Sequence, residues 1–60
     1  MNAKKLVEPT KKYIRVEEID RQKLGVLQFE FGLKVYFDAN GRMVVEEGEY
    51  NAAIERQRSR

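Results

Sequence analysis

From Leu27 to Phe37 every odd position is apolar (Leu27, Phe29, Phe31, Leu33, Val35, Phe37), the alternation of a half-buried strand. Gly32 interrupts that run and the turn sequence Asp38-Ala39-Asn40-Gly41 follows it. Two readings compete. One long strand agrees with the alternation and with the β-formers Val26, Phe29, Phe31, Val35, Tyr36 and Phe37, but it exceeds the usual length of about five or six residues and carries a glycine inside. A helix closing at Phe31 gives Gly32 the left-handed position after a helix end and Leu33 the apolar contact that accompanies it. That second reading leaves Phe29 off the apolar face.

Upstream, Tyr13-Ile14-Arg15-Val16 has strand propensity, whereas Glu17, Glu18 and Asp20 suit the first turn of a helix, where the helix dipole favours acids. On a helical wheel Val16, Ile19, Leu24, Val26, Leu27 and Phe31 span about 160°, a wide apolar face. Gly25 costs a helix interior ~1 kcal/mol against alanine and predicts a break between two short helices.

The turn over residues 38–41 has Asp at its first position and Gly at its fourth, as a type I turn with a left-handed bulge glycine prefers. A three-residue loop sets Asp38 opposite Arg42, Phe37 opposite Met43, Tyr36 opposite Val44, Val35 opposite Val45 and Lys34 opposite Glu46. It matches apolar with apolar and joins opposite charges, unlike the two-residue Asn-Gly alternative. This register turns Leu33, Val35, Phe37, Met43 and Val45 inward, and Lys34, Tyr36, Val44 and Glu46 outward. Beyond it, Tyr50, Ala53, Ile54 and Gln57 share one helical face, with acids at the start and Arg56, Arg58 and Arg60 at the end.

The expected fold is therefore α+β: a short N-terminal helical region, a two-stranded antiparallel hairpin at about 33–38 and 42–47, and a C-terminal helix at about 48–58. The alternative is a three-stranded β-meander with the same C-terminal helix. Residues 1–12, polar and lysine-bearing, are expected to form a flexible basic arm, and residues 13–60 a single small domain.

Composition adds constraints. Sixty residues without cysteine or histidine have neither disulfide nor thiolate zinc to hold a marginal core, so tight packing or association, as a homodimer or with a protein partner, must supply stability. No apolar run approaches the ~20 residues of a membrane span, which predicts a soluble, cytoplasmic protein. Net charge is only +2, but residues 1–16 sum to +4, residues 17–31 to −2, residues 32–48 to −1 and residues 49–60 to +1. Basic ends around an acidic middle suit phosphate contact at the ends. Enzyme chemistry finds no histidine, cysteine or phosphate-binding glycine loop, so no catalytic residue, metal ligand, cofactor or small-molecule substrate is expected.

Taken in order, KYIRVEEI, LGV, GLKVYFDANGRMVV and EYNAAIERQRSR resemble the small winged-helix DNA-binding proteins of the excisionase kind, over Lys12 to Arg60. In that family a Y-[LI]-x-V-E-E start opens the first helix, LGV leads to the recognition helix, a glycine introduces a two-stranded wing, and a closing helix follows. The chain departs from the pattern where the recognition helix belongs: only LQFEFG stands there, with no basic residue and one acid, Glu30. The resemblance implies a DNA-associated regulatory or accessory protein of the excisionase or phage-regulator type, holding duplex DNA mainly by its phosphates. The candidates are Lys11, Lys12 and Arg15 on the arm, Arg21 and Lys23 on the first helix, Lys34 and Arg42 on the wing, and Asn40 at the wing tip, within reach of a minor groove. For Lys34 and Arg42 the plainer expectation is cross-strand pairing with Glu46 and Asp38. The alternative function is a protein-interaction module, an inhibitor or adaptor, docking through Tyr36 and Val44 on the outer hairpin face or pairing there as a homodimer.

Overall fold

A computed structural model describes residues 7–59 of the chain. In order they form β1 (Tyr13–Arg15), one turn of 3-10 helix (Val16–Glu18), α1 (Arg21–Phe31), β2 (Tyr36–Phe37), β3 (Met43–Glu46) and α2 (Glu47–Arg58). The fold is mixed α+β. Its sheet is antiparallel, three-stranded and ordered β1-β3-β2, so the last strand in sequence is the central one. Among the described residues no helix is long and apolar enough to cross a membrane.

The third strand is the sequence's ambiguous segment. Tyr13, Ile14 and Arg15 pair with Glu46, Val45 and Val44, which puts Ile14 beside the fully buried Val45. A β-branched side chain packs well there, and the pairing satisfies backbone groups along β3's second edge. The expected helix start at Glu17 and Glu18 is accordingly corrected to a single 3-10 turn with no buried residue. Asp20 caps α1 instead, its carboxylate accepting from the Lys23 N–H at 3.2 Å.

Residues 21–31 are helical, and α1 runs through Gly25 without the expected break. Leu24, Leu27 and Phe31 lie on one side of it and reach the core, which offsets the glycine's cost. Gly32 ends the helix at φ 68°, and the N–H groups of Gly32 and Leu33 both turn back to the Leu27 carbonyl. That reversal drives Leu33 into the core against Leu27.

The hairpin is shorter than expected. Tyr36 pairs with Val44 and Phe37 with Met43, and Asp38 N–H donates to the Arg42 carbonyl, but Lys34 and Val35 lie outside the ladder. Two events shorten it: Leu33 is turned inward by Gly32, and Glu46, paired with Tyr13 at the end of β3, turns its side chain to cap α2, the carboxylate accepting from the Glu49 N–H at 2.8 Å. The expected Lys34–Glu46 pair thus loses its acid. Asp38 serves the turn, its Oδ1 accepting from the Asn40 and Arg42 N–H groups at 2.9 Å each, while Gly41 adopts φ 80°.

Ile19, Leu27, Leu33, Val45 and Ala53 form the core, bordered by Ile14, Val35, Tyr50 and Ile54 among others. Val45 and Leu33 face inward as expected. Phe37 and Met43 do not bury: they stand at the loop end of the sheet, which the helices leave open, and Met43 is 51% exposed. Val44 is the opposite correction, only 3% exposed although it alternates with Val45. The expected basic arm lies outside the described residues as far as residue 6. From there Val7 N–H donates to the Phe37 carbonyl and Glu8 N–H to the Tyr13 hydroxyl.

The two glycines of opposite role give opposite expectations. Gly41→Ala, strained in the left-handed region, lowers stability by about 1 kcal/mol. Gly25→Ala, where a Cβ meets nothing within 4 Å, raises it by up to about 1 kcal/mol. Urea midpoints of the two variants, compared at one low protein concentration, read both signs.

Candidate nucleic-acid interface

Three arginines of the described chain come together although they are far apart in sequence. Arg15 ends β1, Arg21 opens α1, and Arg42 closes the loop between β2 and β3. All three line one open groove of about 690 Å³, with Gln28 of α1 beside them and Val16, Ile19, Leu24 and Met43 contributing apolar wall. The β1–β3 pairing causes this convergence. Arg15 lies opposite Val44, near the loop end of the sheet, and Arg42 directly precedes β3 there. The 3-10 turn then folds the chain back so that α1 begins alongside.

One acid lines the groove. Glu17 Oε2 stands 3.3 Å from Arg15 Nη1, and both side chains are at least half exposed, so the pair is a weak one. Among the described residues the ion pairs within the 4 Å limit are this one, Lys11–Glu8 and Arg58–Glu55, and none takes up Arg21 or Arg42. Cationic groups above low-dielectric walls concentrate an attractive potential for anions.

The other sequence candidates disperse. Lys34 lines a separate hollow of about 180 Å³ between the end of α1 and α2, shared with Glu49 and Arg56. Lys23 lies two residues past Arg21, which turns it about 200° around the helix, away from the groove. Lys11 and Lys12 precede β1 at the far end of the sheet, where the Lys12 carbonyl accepts from the Glu47 N–H. Asn40 stays at the exposed loop tip, two residues before Arg42. Gln28 and Met43 join the groove without having been site candidates: no local signal marks Gln28, and Met43 was expected to face the core.

The outer face of the sheet holds the pair assigned to docking. Tyr13 and Tyr36 sit on the strands flanking β3, and their rings meet edge-on across it, 5.9 Å between centroids at 71°. Val44 lies on the same face beneath them, which explains its burial and takes it out of any exposed interface. Tyr36 is half-buried and donates its hydroxyl to the Glu49 carboxylate, 3.0 Å from Oε2. Desolvation of the phenol, then the Glu49 hydrogen bond and negative charge, raises the Tyr36 pKa above its ordinary 10.0. Among the described residues no group of three or more His, Cys, Asp or Glu side chains is arranged to hold a metal ion.

Comparisons with protein families, with curated proteins and with solved structures return no match.

The folded Tyr36 phenol holds its proton more tightly than the unfolded one, so its contribution to stability is whole below pH 10 and disappears as pH rises through the folded value. Tyr36→Phe therefore costs about 1 kcal/mol at neutral pH. It also flattens the loss of stability above pH 10, as urea midpoints measured from pH 8 to pH 11 show by comparison with the wild type.

Proposed function

We propose that this protein is a small DNA-associated accessory or regulatory protein that binds duplex DNA mainly through its phosphates, at the groove between β1, α1 and the β2–β3 loop. The observation that carries the reading is the convergence of Arg15, Arg21 and Arg42 from three separate elements on one groove with a single acid. Arginine is suited to the task, because its planar fork of donors matches phosphate oxygens and stays charged at any working pH. The β2–β3 loop, with Asn40 at its tip and Arg42 at its base, serves as a wing against the neighbouring backbone. Such contacts give affinity and orientation and little sequence information. The excisionase-like order of motifs agrees with this reading. The departures from it are the strand and 3-10 turn in place of the first helix, and LGV inside α1 rather than ahead of it.

Fluorescence anisotropy against a labelled duplex at several salt concentrations tests the reading. Phosphate contact by three arginines gives a log–log salt slope of about −2 to −3. Arg21→Ala with Arg42→Ala reduces that slope by about 2 and weakens binding to unrelated sequences alike. Lys34→Ala, in the separate hollow, leaves both nearly unchanged. Absence of binding at low salt, or binding indifferent to the double substitution, would sink the proposal.

A further inference from the structure

On the side of α1 opposite the core Gln22 and Phe29 are exposed, and that face is built like an interface. By the 100° per residue of an α-helix, Leu24, Leu27 and Phe31 point to the core. Gln22 and Phe29 point directly away from it, with Gly25 and Val26 on either side. Phe29 is 91% exposed, by far the most exposed large apolar side chain of the described chain. Gly25 beside it opens on free space: a Cβ there would meet nothing within 4 Å. A bulky ring next to a bare stretch of backbone is what one helix needs to admit a second.

We propose that this face pairs with the same face of a second copy of the chain, the two α1 helices antiparallel about a twofold axis passing between Gly25 and Val26. The charges favour that occupant and that direction. Lys23 and Glu30 both lie on the flank of α1 away from the groove, seven residues apart. An antiparallel twofold keeps each flank on its own side and reverses the helix. Lys23 therefore lies within about two residue positions, roughly 3 Å along the axis, of the partner's Glu30. A parallel pair would bring that flank against the other one and lose the match. The ring of Phe29 leans toward the N-terminus of its own helix, as helical side chains do, and so toward the centre, where the partner's Gly25 leaves room. The interface is small, so the association is weak and reversible.

The symmetry has a consequence for the groove. Arg21 and Gln28 lie on the other flank, and the twofold carries that flank to the same side of the pair. Both arginine grooves then face one way, so one duplex meets both; this consequence alone rests on the DNA reading.

The full chain, free of DNA, tests the pairing by sedimentation equilibrium from micromolar to millimolar concentration. A monomer–dimer equilibrium is expected. Phe29→Asp weakens it at least about tenfold with helix content by circular dichroism unchanged. Lys23→Glu also weakens it, and Lys23→Glu combined with Glu30→Lys restores it. The chain has no cysteine of its own, so single cysteines report direction. Under mild oxidation Gly25→Cys crosslinks to its twofold mate, whereas Gln22→Cys does not, because its mate lies about 10 Å away along the axis. A chain that stays monomeric overturns the proposal. So does a dimer indifferent to Phe29→Asp, a charge swap that fails to restore association, or crosslinking as strong at position 22 as at 25. A monomer in which Phe29→Asp abolishes DNA binding assigns the face to DNA and likewise overturns the pairing.

Discussion

The molecule depends on β3 being paired along both edges. Val44 and Val45 are adjacent in that strand and point to opposite faces, yet both are almost fully buried. A chain of this length has few residues with which to cover two faces. It covers Val45 with the two helices and Val44 with the Tyr13–Tyr36 contact, whose rings come from the two neighbouring strands. β1 takes part on both faces, adding Ile14 to the border of the core on one and Tyr13 to the tyrosine contact on the other. The same pairing joins residues about thirty apart in sequence and fixes Arg15 next to the loop that carries Arg42. Fold and groove thus rest on one strand contact.

Local grammar in the sequence was legible wherever the backbone had few choices. Gly32 ends a helix and Gly41 closes a turn because each sits where φ is positive, and both signals could be read without tertiary context. The Tyr36–Val44 and Phe37–Met43 pairing followed from matching apolar residues across that turn. What could not be read locally was competition for the same group. Glu46 suits a cross-strand pair with Lys34 and equally a helix cap, and the cap prevailed because α2 begins at the next residue. Tyr13-Ile14-Arg15 suits strand or helix, and the decision came from β3's second edge, a surface that sequence periodicity does not reveal. Val44 alternated outward correctly, but its burial by two tyrosines from other strands is a long-range event.

The site was legible as a composition rather than as a place. Seven arginines and lysines, with Asn40, were candidates spread over the chain, and their positions along the sequence could not rank them. Strand pairing ranks them: Arg15, Arg21 and Arg42 share a groove, while Lys34 and the pair Lys11 and Lys12 sit elsewhere. A phosphate backbone is a continuous ligand, so cations within one groove act together on it, and isolated lysines add only to the general attraction. The exposed Phe29 belongs to the same helix but to another side. α1 thereby presents the core, the groove and a bare outer face at three different angles.

The most direct test of this account is an NMR titration of uniformly nitrogen-labelled protein with a short duplex, following every backbone amide and arginine side chain. The account predicts that Arg15, Arg21, Gln28 and Arg42 shift along one common saturation curve, while Lys11, Lys34 and Arg56 respond weakly. Shifts concentrated at Lys34 and Arg56, or separate curves for the three arginines, would contradict a single groove assembled by the pairing of β1 with β3.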